Sequence, residues 1–134
     1  MARPEAGAAV LIEDLEPPTP GPGEVRVRVQ NTAICGTDRH IYHWDPSVSS
    51  MLTPPVTIGH EFCGHIESLG DEVDGWNLGD YVSAEMHIVC GRCRACQAGN
   101  QHICENTEIA GLHRAGSFAE FVVVPACNLV RLDP

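Results

Sequence analysis

Glu24-Val25-Arg26-Val27-Arg28-Val29-Gln30 alternates without a break. Val25, Val27 and Val29 fall on one side, while Glu24, Arg26, Arg28 and Gln30 fall on the other. A period of two is that of a β-strand with one buried face. Upstream, Glu16-Pro17-Pro18-Thr19-Pro20-Gly21-Pro22-Gly23 is a turn-rich connection, preceded by a short strand expected over residues 8–13. Downstream, Cys35-Gly36-Thr37-Asp38 closes an extended piece, and residues 38–44 suit a short helix with Asp38 near its start. Phe62–Leu69 and Tyr81–Met86 are predicted strands separated by a turn region, Gly70–Asp80, and Phe118–Val124 and Asn128–Leu132 close the chain as two more. Several short strands, frequent Gly and Pro and almost no helical period predict an all-β barrel or sandwich with short helices. No internal repeat, linker or second domain is expected.

At 134 residues, 43% hydrophobic and 19% charged, the chain has the composition of one globular domain with a real core. The longest apolar run, Phe121–Cys127, is interrupted by Pro125 and far too short to span a bilayer. The N-terminus lacks the pattern of a secretory signal, so a cytoplasmic address is expected. All eight cations are Arg, and they face 18 acids for a net charge of −10. That field repels nucleic acid and anionic membranes, and neither is expected as a partner. Seven Cys in a cytosolic chain point to metal or catalysis rather than disulfides.

Cys90-x2-Cys93-x2-Cys96-x7-Cys104 carries the strongest chemical signal. Zinc takes four soft ligands tetrahedrally, and short spacings let one loop wrap the ion at little closure entropy. Four thiolates leave no open position, so the site is structural. Residues 88–106 form this lobe, and its connecting residues are too polar to order themselves by packing. An iron–sulfur cluster and unbound thiols are the alternatives; the spacing matches neither common ferredoxin pattern.

A second constellation is looser: Cys35, and His60-Glu61 within Gly59-His60-Glu61-Phe62-Cys63-Gly64. Thiolate, imidazole and carboxylate suit a zinc with an exchangeable position, but a buried Cys beside a satisfied core His fits the same residues. Cys63 and Cys127 read as small buried hydrophobes. His43, His65, His102 and His113 have no partner at ligand spacing, Trp44 suits a pocket rim or ordinary packing, and Asp71, Glu72 and Asp74 suit a solvated loop.

Cys35-Gly36-Thr37-Asp38, Gly59-His60-Glu61, Gly79-Asp80-Tyr81-Val82 and the four-Cys lobe, in this order, resemble the N-terminal catalytic domain of zinc-dependent medium-chain dehydrogenases, the alcohol dehydrogenase superfamily. The resemblance covers almost all of residues 1–134 and implies a GroES-like barrel. Ile34–Asp45 and Glu85–Cys90 are most similar to the branch acting on L-threonine. The resemblance implies that Cys35, His60 and Glu61 hold a catalytic zinc and that Cys90, Cys93, Cys96 and Cys104 hold a structural one. It implies that Thr37 and His40 relay a proton and that His87 lies near the same pocket. Zinc acidifies a bound hydroxyl, and a nicotinamide accepts the hydride. Thr37 and His40, three residues apart, would share a helical face.

The family's Rossmann nucleotide-binding domain is absent from these residues. No Gly-x-Gly-x-x-Gly follows a strand, and Gly21-Pro22-Gly23 is a turn. The family's first strand is expected to be truncated. The reading is therefore two zinc ions, NAD only where a nucleotide-binding domain is supplied, and no turnover by the chain alone. A small-molecule alcohol or amino acid is the substrate, and a homo-oligomer is possible through the exposed barrel edges. A polyol (sorbitol-type) dehydrogenase, a non-catalytic zinc-bearing remnant and a thiol redox sensor are the competing readings.

Overall fold

A computed structural model describes residues 14–133. The strand expected over residues 8–13 lies outside the described residues. The long strand β1 (Glu24–Ala33) is central, flanked by β2 (Glu61–Leu69) and by β6 (Phe121–Pro125). With β3 (Tyr81–Ala84) and β7 (Leu129–Arg131) they form one antiparallel sheet in the order β6-β1-β2-β3-β7. A two-stranded ribbon, β4 (His87–Ile88) with β5 (Glu108–Ile109), stands at the root of the cysteine lobe. Helices are short: α1 (Gly36–His43), α2 (Pro46–Ser49) and α3 (Arg94–Gln97). No helix among the described residues is long and apolar enough to cross a membrane.

The alternation in β1 does what its period demands. Val25 and Val27 are 0% exposed and pack with Phe62, Ile66, Val82, Val122 and Val124 in the principal core. The β1–β2 register is irregular between Arg26 and Val27 and again between Val29 and Asn31. Irregularities of this kind re-aim a strand end, and beyond Gln30 the strand is exposed on both faces. A second apolar cluster, Ile41, Val48, Leu52, Ile58 and Leu112, seats α1 and α2, with Trp44 packed against it.

Several details depart from the sequence expectation. The sheet is open: among the described residues β6 and β7 do not pair with each other, so strand pairing does not close a barrel. The strand from Tyr81 stops at Ala84, where the Glu85 amide turns to Asn128 O at 2.8 Å. β6 begins at Phe121 rather than Phe118, because the Ser117 and Phe118 amides bond to Gly59 O and Ile58 O instead. Helix α1 starts earlier than Asp38, at Gly36, with Cys35 as its N-cap. Cys127 is exposed in a 3-10 turn and Cys63 is only half-buried, so neither is a core residue.

Glu24 ties the start of β1 to a distant loop. Its Oε1 accepts from Arg114 Nη2 at 2.5 Å and its Oε2 from the Gly21 amide at 3.0 Å. Burial pushes the Glu24 carboxyl up, but the hydrogen bonds from Arg114 and Gly21 and the Arg114 charge outweigh it, leaving it below its ordinary 4.5. A lowered carboxylate stabilises the fold above its unfolded value and loses that contribution as pH falls through its folded value. In urea denaturation, the stability advantage of wild type over Glu24→Gln should therefore shrink between about pH 6 and pH 3. A difference constant over that range would contradict the role assigned to this carboxylate.

Candidate functional site

Antiparallel register brings the scattered motif together. Ala33 at the end of β1 pairs with Glu61 at the start of β2. Cys35 lies just beyond the first and His60 just before the second, so both fall at the same end of the sheet. Cys35 Sγ is 2.9 Å from His60 Nε2. Cys35 is the N-cap of α1 in a reciprocal capping box: its Sγ accepts from the Thr37 amide at 3.2 Å, and its own amide donates to Asp38 Oδ2 at 2.9 Å. The cap orients the sulfur, and the sheet delivers the imidazole.

His60, 4% exposed, is also held from behind. The amides of Gly116, Ser117 and Phe118 donate to Thr57, Gly59 and Ile58 at 2.7, 2.8 and 2.9 Å. That contact requires backbone against backbone. Gly59 has φ +91°, and a Cβ there would run into the Phe118 ring.

The third group in the cluster is Asp38. One ligand atom each from Cys35, Asp38 and His60 lies within 4.8 Å of the others. Asp38 is 6% exposed, and its Oδ1 and His60 Nδ1 are buried without a hydrogen-bond partner. Buried polar atoms ordinarily have partners, and a thiol, a carboxylate and an imidazole in one shared space are a donor set that suits zinc. Glu61 is not part of this cluster; it is exposed on β2. Sequence reasoning assigned Asp38 only to the helix start. The available signal was its place as the third helical residue after a candidate ligand, which returns a capping side chain toward that ligand's backbone.

A cleft of ≈ 630 Å³ opens beside the cluster, lined by Thr32, His60, Glu61, Cys63, Glu85 and His87 among others. His87 Nδ1 is 2.6 Å from Glu85 Oε1. The Glu85 carboxyl is lowered chiefly by the His87 amide and ring. Thr37 and His40 sit on α1 rather than in the cleft lining, with His40 Nδ1 2.5 Å from Asp45 Oδ2. A second groove, near Met51 and Leu112, includes none of these groups.

All four lobe sulfurs converge within 4.8 Å, Cys104 to Cys90 at 3.6 Å and Cys93 to Cys104 at 3.9 Å. These separations are far beyond a disulfide bond of ~2.0 Å. They match the ~3.8 Å edge of a tetrahedron built on Zn–S bonds of ~2.3 Å. Backbone amides of Arg92 and Cys93, with Asn106, lower the Cys90 thiol to about 6. The Cys96 and Glu105 amides lower Cys93, while burial and the neighbouring thiols push Cys96 up to about 12. The amide donors that favour thiolate face Cys90 and Cys93.

The chain belongs to the alcohol dehydrogenase GroES-like domain family, whose model matches residues 21–134. It is 49% identical over 129 residues (96% of this chain, 38% of the relative) to L-threonine 3-dehydrogenase of Xanthomonas campestris pv. campestris. It is 50% identical over 125 residues (93% and 36%) to the enzyme of that name from Symbiobacterium thermophilum. Among solved structures, alcohol dehydrogenase of Aeropyrum pernix superposes with TM-score 0.85 at 34% identity, covering 96% of this chain and 38% of that one. A zinc-binding dehydrogenase from Sinorhizobium meliloti, solved with NADP, gives 0.84 at 38% identity over 98% and 37%. The chain thus spans little more than a third of the length of these relatives.

Two outcomes follow from the geometry. Cys96→Ser should lower zinc content by one ion per chain and open residues 90–106 to proteolysis while the sheet core keeps its circular dichroism. Undiminished zinc would remove the lobe as a metal site. Gly59→Ala should lower stability by about 2 kcal/mol or more, through its positive φ and the Phe118 contact. Equal denaturation midpoints would show that the crossing does not constrain His60.

Proposed function

We propose that this chain is the metal-holding, substrate-binding domain of a zinc-dependent dehydrogenase that oxidises a secondary alcohol. L-threonine is the substrate, 2-amino-3-oxobutanoate the product, and NAD the hydride acceptor. The observation that carries the reading is the 2.9 Å approach of Cys35 Sγ to His60 Nε2 beside an open cleft. The names of the relatives support threonine, and the solved neighbour with NADP supports a nicotinamide. These 134 residues carry no Gly-x-Gly-x-x-Gly after a strand. We place the nucleotide on a nucleotide-binding domain beside this one, and zinc on these residues. Seven free cysteines suit a reducing, cytoplasmic setting.

Cys35 and His60 would hold the catalytic ion with a carboxylate, Glu61 from the family pattern or Asp38 from its position in the cluster. Cys90, Cys93, Cys96 and Cys104 would hold the structural one. When bound, the catalytic zinc supplies a Lewis acid that acidifies a substrate hydroxyl. Thr37 Oγ1 takes the hydroxyl proton and passes it to His40, one turn on along α1. A bound nicotinamide would supply the acceptor for the carbon-bound hydrogen and its electron pair, for an overall yield of one ketone, one reduced cofactor and one proton. Glu85 holds His87 by Nδ1 and leaves Nε2 available to a polar group of the substrate.

Metal analysis of the purified chain should find two zinc ions; one would support the lobe alone. Asp38→Asn and Glu61→Gln separate the two carboxylates. The variant that releases one zinc on dilution identifies the ligand, and retention by both would remove the carboxylate from the site. Combined with a nucleotide-binding domain, the chain should reduce NAD with L-threonine, and Cys35→Ser should abolish the reaction. Faster turnover with a polyol than with L-threonine would overturn the substrate assignment.

A further inference from the structure

Helix α1 ends in a turn that its residue type disfavours. Trp44 has φ 54° and ψ 43°, in the left-handed region that bulky L-residues rarely enter. Its amide donates to the His40 and Ile41 carbonyls, and the Asp45 amide donates to His40 O at 3.0 Å. Packing maintains the turn, since Ile41 is buried and Trp44 rests against the same apolar cluster. The reversal folds Asp45 back onto α1, where its Oδ2 lies 2.5 Å from His40 Nδ1.

Asp45 is also the N-cap of α2, a position where Asp ordinarily turns its carboxylate onto the helix amides. Here the side chain makes no capping bond, and the Val48 and Ser49 amides reach the Asp45 carbonyl instead, at 3.1 and 2.9 Å. The carboxylate is committed to His40. An ionised carboxylate only accepts hydrogen bonds, so a neutral imidazole facing it carries its hydrogen on Nδ1 and its lone pair on Nε2.

We propose that Asp45 is a positioning residue for His40: its carboxylate selects the Nδ1–H tautomer and aims the ring so that Nε2 is the proton acceptor. The inference rests on the reading of His40 as the end of the Thr37 relay, and Asp45 acts only through that ring. A surface contact of this exposure contributes little to stability, so the consequence is tautomer and orientation rather than fold.

The test is nitrogen-15 NMR of the histidine rings in the zinc-loaded chain in alkaline buffer. His40 is assigned by the signal lost in His40→Gln. His40 should be in the Nδ1–H form in wild type. Asp45→Ala should move it toward the tautomer mixture of an unpartnered imidazole, and Asp45→Asn, whose Oδ1 still accepts, should keep Nδ1–H. An Nε2–H ring in wild type overturns the proposal without any variant having to fold, and so does an unchanged ring in Asp45→Ala. Full turnover by His40→Gln in the enzyme supplied with its cofactor domain would instead remove the relay reading while leaving the tautomer result standing. The two therefore fail separately.

Discussion

The pairing of Ala33 with Glu61 across β1 and β2 is the constraint on which the candidate site depends. It joins two sequence segments that share no local interaction and leaves Cys35 and His60 facing each other at one end of the sheet. Strand register has a period of two, so a slip of one residue would move every side chain of one strand to the opposite face. The burial of Val25 and Val27 in one core with Ile66 and Phe62 resists such a slip. The hydrophobic core and the candidate metal centre are two consequences of one strand pair, β1 with β2.

Local backbone chemistry then finishes what the sheet begins. The capping box puts Cys35 Sγ on the Thr37 amide and Asp38 on the Cys35 amide, so the start of α1 is organised around the sulfur. Gly59 and the 116–118 segment press the His60 backbone into place from the other side. Main-chain contacts fix the backbone on both sides, while burial of the His60 ring and the Thr37 amide on Cys35 Sγ restrain the side chains themselves. Ligand groups preorganised in this way lose less entropy when an ion binds.

The lobe follows the opposite logic. Residues 90–106 bury little apolar surface beyond Cys96. Four sulfurs and a few amide hydrogen bonds provide its common centre. Its order comes from side chains close in sequence, and for that reason the Cys90, Cys93, Cys96 and Cys104 set was readable from spacing alone.

What the sequence determined by itself was local: the strand alternation at Val25, Val27 and Val29, the short helix after Cys35, and a sulfur cluster within one loop. Each is set by a period or spacing of a few residues. Tertiary structure decided that Asp38 shares one space with Cys35 and His60 while the exposed Glu61 lines the neighbouring cleft. It also decided that Asp45 turns to His40 rather than to its own helix, and that the sheet remains open between β6 and β7 among the described residues. The reasons differ in range: the pairing of distant strands brings His60 to Cys35 and Asp38 and leaves the sheet open, whereas the left-handed turn at Trp44 brings Asp45 to His40.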